Sequence, residues 1–150
     1  VLHGVSMGAA TVMMASGEEL PPYVKAVVED CGYSSVWDQF AYILKDSFHL
    51  PPFPILTSSN IVCKSRYGWD FKEASSVDKL AVSEVPMLFI HGDADDFVPF
   101  SHLQKNYDAK VNGYKEMWVA PDAVHANSFA KHPEEYKAHV KAFLEKVKSM

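Results

Sequence analysis

Short apolar runs alternate along this chain with longer stretches whose apolar positions repeat every three to four residues. Residues 9–16, AATVMMAS, are small and apolar, which suits a helix packed closely on its neighbours, and Gly17 stands where such a helix would end. Residues 24–28, VKAVV, are short and β-branched and precede Cys31-Gly32-Tyr33, so they predict a buried strand leading into a turn. From Ser35 onward, Trp37, Phe40, Ala41, Leu44 and Phe48 fall on one helical face, and Ser35 with Asp38 has the spacing of an N-terminal cap. This predicts an amphipathic helix packed through that face. LPPFP at 50–54 then breaks the pattern, and the aromatic stretch up to Phe71, which carries no strong period, predicts irregular structure.

The second half is plainer. VPMLFI at 85–90 reads as a buried strand running into HGDADDFVP, followed by a helix over 100–110 and a strand, KEMWVA, over 115–120. The last helix opens at Pro133, a favoured first-turn residue, and should bury Tyr136, Val140, Phe143, Leu144 and Val147. Helices alternating with strands are the rhythm of an α/β fold with a mostly parallel sheet. At 150 residues, 48% hydrophobic and 22% charged, the chain fits one domain with a modest core.

Charge narrows the function classes. A formal net charge of −5 with scattered lysines argues against a nucleic-acid partner, and the group from Lys137 to Lys148 reads as a solvated helix face. No apolar run approaches the roughly 18 residues of a membrane span, and no leader pattern precedes the first helix, so a cytoplasmic protein is expected. An export signal lost with a missing N-terminus would change that expectation. Cys31 and Cys63 make neither a disulfide framework nor a metal-ligand spacing and are expected to be small buried thiols.

Candidate chemistry begins at Gly4-Val5-Ser6-Met7-Gly8, which matches G-x-S-x-G, a serine on a tight turn from strand to helix. Small flanking residues are expected there because a side chain two positions either way would meet the neighbouring strand or helix. The start of the helix would aim the Met7 N–H at a developing oxyanion. A glycine-rich turn with a helix-capping serine would carry the same five residues. A serine nucleophile needs a base, and the base needs an acceptor that fixes its tautomer. His125, in the loop PDAVHANS after the strand 115–120, is the expected base; His132 should be exposed, His49, His102 and His139 sit in helical or cap positions, and His3 and His91 end strands. Of the aspartates in HGDADDFVP, Asp95 is the expected acid, with Asp93 and Asp96 left to solvent, and Asp30 is the alternative acid.

The order Ser6, Asp95, His125 resembles the α/β-hydrolase family, whose triad follows that order. HGVSMG looks like the nucleophile elbow, HGDADDFVP like the acid loop and VHANS like the histidine loop, while VVEDCGYSSVWDQF resembles the strand and helix after the elbow. In detail the match is to the Bem46-like and prolyl-oligopeptidase-like branch of serine hydrolases. The resemblance implies a C-terminal part of an eight-stranded fold in which the elbow follows strand five. The first four strands and most of the fifth would lie outside residues 1–150, together with the loop that supplies the second oxyanion donor. The strand before the elbow would then be an exposed edge, needing self-association or the missing half against it. A small cap-like segment is expected at about 45–72, and with Tyr33, Trp37 and Trp69 it would shape an apolar substrate pocket. The expected activity is cleavage of carboxylic esters through an acyl-enzyme, with no cofactor and no metal. A peptidase or amidase acting on short peptides, or a truncated interaction module without turnover, are the alternatives.

Overall fold

The computed structural model describes residues 1–150 and holds four strands and seven helices in the order β1 (Leu2–Val5), α1 (Met7–Ala15), β2 (Val27–Asp30), α2 (Val36–Asp46), α3 (Pro52–Tyr67), α4 (Ser76–Leu80), β3 (Met87–Gly92), α5 (Ser101–Ala109), β4 (Lys115–Ala120), α6 (Ser128–Lys131) and α7 (Pro133–Ser149). The strands form one parallel sheet in chain order, β1-β2-β3-β4. Leu2 pairs with Val27, Val27 with Met87 and Met87 with Lys115, so all four strands end at the same rim. Parallel neighbours need crossover connections, and helices supply them on both faces.

Strand alternation divides the core in two. Val28, Leu88, Ile90, Trp118 and Ala120 pack under α7 through Tyr136 and Phe143. Val27, Met87 and Phe89 face the other way, onto Met13 of α1, Leu80 of α4 and Leu103 of α5. Val140, Leu144 and Val147 of α7 lie partly buried against the first cluster, on the face the apolar spacing predicts.

Three expectations need correction, whereas the strand before the elbow is the short edge expected, Leu2–Val5 paired with β2. The second strand runs over Val27–Asp30 rather than 24–28, because Glu29 and Asp30 are themselves buried in the sheet. The stretch after LPPFP is the 16-residue helix α3. Its buried residues are only Leu56 and Cys63, whereas Ile55, Ile61 and Val62 are exposed, so no coherent apolar period exists to read. The expected apolar face of α2 is not sealed: Phe40 is exposed, Phe48 lies past the helix end, and the residue α2 buries is Gln39.

β1 is an edge strand, and beside it a cavity of about 810 Å³ opens between His3, Val5, Phe129, Tyr136 and Val140. No helix is long and apolar enough to cross a membrane. Both cysteines are buried and unpaired.

Candidate active site

The chain leaves β1 and enters α1 through Ser6, whose φ of 55° and ψ of −117° lie where L-residues rarely sit. The turn is tight because Gly4 lets strand and helix touch; a Cβ at Gly4 would overlap the Gly8 carbonyl and lie 2.7 Å from Ala9 N. Gly8 itself faces open space, so the expected collision holds at the first glycine and not at the second. The Ser6 N–H donates to the Asp30 carbonyl (2.8 Å), fixing the elbow to the end of β2. Positive φ recurs around this rim at Cys31, Asp122 and Ala126. The backbone is therefore strained where three strand-end loops converge.

Ser6 Oγ caps no helix N–H, which removes the capping-serine alternative. It lies 2.8 Å from His125 Nε2, and His125 Nδ1 lies 2.8 Å from Asp95 Oδ2. An ionised carboxylate only accepts, so Nδ1 carries the ring proton and Nε2 is left to accept from the serine hydroxyl. Residues 119 and 30 positions apart in sequence thus form one continuous relay.

Asp95 is buried, and both of its oxygens are occupied. Oδ1 accepts from the N–H groups of Phe97 (3.0 Å) and Val98 (2.9 Å). Oδ2 accepts from His125 and has His91 Nε2 at 3.4 Å. Burial pushes this carboxyl up, but the nearby His91 imidazole and hydrogen bonds from His125 and the Val98 N–H outweigh it and hold the group below its ordinary range. The acid loop is braced from α2, where Gln39 donates to the Phe97 carbonyl (2.7 Å) and the Tyr42 hydroxyl to the Asp96 carbonyl (2.8 Å). Asp93 and Asp96 are exposed, and Asp93 accepts from the Asp122 N–H, tying the acid loop to the histidine loop.

Asp30, the alternative acid, is turned elsewhere. Its carboxyl accepts from Ser128 Oγ (3.1 Å) and the Tyr136 hydroxyl, and burial raises its pKa. His132 is half-buried rather than exposed, with Nε2 2.8 Å from the Pro121 carbonyl. The Met7 N–H stands in the first turn of α1, where no intrahelical acceptor exists. Trp37 lies under Lys72, whose Nζ is 4.5 Å from the ring centre, and Trp69 packs on Phe71 at 5.6 Å. Tyr33 is half-buried after β2. The ring that packs on the imidazole is Phe97, with centroids 4.9 Å apart. Sequence reasoning missed it, although an aromatic residue two positions after Asp95 was a usable signal. Cys31 was also read only as a buried thiol. Its sulfur lies within 4.8 Å of donor atoms on Asp95 and His125, and burial, with Asp30 beside it, pushes its pKa to about 12. The His125 and Asp95 donors are already spent on each other, so nothing in this cluster is arranged around an ion.

The family model for the prolyl oligopeptidase family matches residues 1–149. The chain belongs to the prolyl oligopeptidase family. Among curated relatives, the uncharacterized protein YqkD of Bacillus subtilis is 32% identical over 144 residues, covering 96% of this chain and 47% of that protein. The uncharacterized protein YfhR of Escherichia coli is 26% identical over 145 residues, covering 96% of this chain and 44% of that protein. The chain spans about half the length of the curated relatives it matches. Among solved structures, an esterase of Pyrococcus furiosus superposes with a TM-score of 0.68 at 26% identity, over 96% of this chain and 52% of that one. An acylaminoacyl peptidase of Pyrococcus horikoshii superposes with a TM-score of 0.66 at 16% identity, over 95% of this chain and 22% of that one, a likeness of fold. The fold is that of an α/β hydrolase, and the residues present are its C-terminal portion.

Proposed function

We propose that this chain carries the catalytic portion of a serine hydrolase that cleaves carboxylic esters through an acyl-enzyme. The observation that carries the reading is the unbroken relay Ser6 Oγ, His125, Asp95, with both links at 2.8 Å. His125 Nε2 takes the Ser6 proton as Oγ bonds to the ester carbonyl carbon, and the carbonyl electron pair moves onto oxygen, where the Met7 N–H meets it. The imidazolium, held by Asp95, then protonates the departing alkoxide as the carbon–oxygen bond breaks. Water, deprotonated by the same histidine, attacks the acyl group and returns Ser6. These steps need neither metal nor cofactor.

A second oxyanion donor, and a partner for the edge of β1, would come from the rest of a longer protein against the cavity beside β1. Segment 45–72 acts as a cap in this reading. Between α2 and α3 an apolar cleft of about 290 Å³, lined by Phe40, Leu44, Ile55, Leu56 and Phe71, offers room for an acyl group. Tyr33, Trp37 and Trp69 would line the approach. The family name favours peptides as a second reading, because the same three residues serve an amide. Initial rates on p-nitrophenyl esters and on peptide p-nitroanilides decide between them. The reading expects ester turnover, lost in Ser6→Ala, to exceed amide turnover by at least tenfold; preferential anilide cleavage would transfer the assignment to a peptidase.

A further inference from the structure

We propose that His91 is a positioning residue for Asp95, sharing the carboxylate oxygen Oδ2 with His125 and so setting both the plane of that carboxylate and its hold on the base. The inference rests on the serine-hydrolase reading above and names a residue to which that reading gives no role.

The geometry is closed. His91 is the penultimate residue of β3, and its side chain is fully buried. Its Nε2 lies 2.8 Å from the Val98 carbonyl and 3.4 Å from Asp95 Oδ2. A carbonyl oxygen can only accept, so Nε2 is the donor; its single N–H goes to the Val98 carbonyl and leaves Asp95 Oδ2 as a longer polar contact of the same nitrogen. Val98 in turn donates its own N–H to Asp95 Oδ1 at 2.9 Å. His91, Val98 and Asp95 therefore make a ring of three contacts that leaves the carboxylate no free rotation. Phe100 meets the His91 ring edge-on, with centroids 6.2 Å apart, and fixes its plane.

The other nitrogen makes the case that this imidazole does more than fill space. His91 Nδ1 is buried with no partner, a cost that an apolar side chain of similar size would avoid. The site tolerates a bare nitrogen in order to present the other one. Asp95 then has three hydrogen-bond donors, two backbone N–H groups on Oδ1 and the His125 imidazole on Oδ2, with the His91 N–H as a longer contact beside Oδ2. The charged and titratable neighbours of this group are Asp30 and Cys31 from β2 and its turn, Tyr42 from α2, His102 from α5 and His125 from the loop after β4. None of them supplies a second donor to Oδ2 in place of His91.

Removing the donor has two consequences. Oδ2 is then left to His125 alone, which favours the imidazolium, so the acid limb of kcat/KM moves to higher pH. The carboxylate also gains freedom to rotate, and a displacement of about 1 Å at a relay link lowers turnover roughly ten- to hundredfold.

The test compares two amides at one position. His91→Gln places a side-chain N–H near the Nε2 position, whereas the shorter His91→Asn places it near Nδ1 and cannot reach Oδ2. The His125 ring is titrated by NMR, with His125→Gln identifying its resonance, and the acid limb of kcat/KM is followed on p-nitrophenyl acetate. Expected are an upward shift of both in His91→Asn and near-wild-type behaviour in His91→Gln. A His125 titration unmoved in a folded His91→Asn, or moved equally by Asn and Gln, overturns the proposal. If Asn unfolds the protein, His91→Leu replaces it, and a protein that folds only with His or Gln at 91 assigns the donor to stability and also overturns it. The NMR titration needs no turnover. A shift without any ester cleavage in the wild type would sink the hydrolase reading and leave the positioning role standing.

Discussion

Replacing Asp95 by Asn leaves shape almost unchanged and reverses one donor. The Phe97 and Val98 N–H groups, at 3.0 and 2.9 Å, demand an acceptor, so the amide oxygen stays on that side. The NH₂ then occupies the place of Oδ2, 2.8 Å from His125 Nδ1 and 3.4 Å from His91 Nε2. Nδ1 must now accept, the ring proton moves to Nε2, and Nε2–H faces Ser6 Oγ across 2.8 Å with no means of taking its proton. Wrong-tautomer variants of such triads lose about 10⁴ in kcat, or about 5.4 kcal/mol. The escape is to flip the amide, which breaks two backbone hydrogen bonds worth about 1 kcal/mol each and sets donors against donors. A flipped population of at most about one in a hundred follows, and it bounds the loss from below. We expect kcat on p-nitrophenyl acetate to fall between about 10² and 10⁴, with KM nearly unchanged and cooperative melting retained. A loss under tenfold in a folded Asp95→Asn protein would refute the tautomer argument.

Three further outcomes follow from the same geometry. A Cβ at Gly92 would overlap the Ala123 carbonyl and lie 2.7 Å from its carbon, so Gly92→Ala should push the His125 loop off the Asp95 loop; roughly hundredfold less esterase activity is expected, and unchanged rates would contradict it. Burial pushes the Glu29 carboxyl well above its ordinary range, only partly countered by the Gly32 N–H. Its folded-state pKa is therefore raised, and the wild type loses stability as pH rises from the unfolded value of about 4.3 through the folded one. Relative to wild type, Glu29→Gln should gain at least about 2 °C in Tm between pH 4 and pH 8, at roughly 2–4 °C per kcal/mol, and a flat difference would show that the carboxyl is not desolvated. Phe97→Ala removes the ring against the imidazole while leaving the backbone donor to Asp95, so kcat/KM should fall about three- to tenfold with little change in Tm; an unaltered kcat/KM would mean the ring only covers the loop.

What the sequence revealed of this molecule depended on whether a local signal matched a local cause. β3 is an apolar run because both faces of this inner parallel strand are buried, and the face of α7 repeats because it lies on one cluster. Ser6, Asp95 and His125 were legible because each follows a strand in a loop whose composition fits its chemistry, and the structure brings the three side chains into contact. α3 was not legible, since its two buried residues, Leu56 and Cys63, are seven positions apart among exposed aliphatic ones. The end of β2 was misplaced because Glu29 and Asp30 read as surface, yet Gly32, Ser128 and Tyr136 supply the polar partners that let them be buried. Gln39 acts on the acid loop through the Phe97 carbonyl, 58 positions further on, and spacing along the chain carries no record of such a contact.

The serine-hydrolase reading requires that the hydroxyl at position 6 be activated by its neighbours. A fluorophosphonate probe followed by intact-mass and peptide mapping measures this directly, because the reagent phosphonylates only a serine whose proton is withdrawn as it attacks. One adduct on the peptide carrying Ser6, absent in Ser6→Ala and strongly slowed in His125→Ala, is the predicted result. A folded protein that leaves Ser6 unmodified under conditions that label a known serine hydrolase would contradict the account.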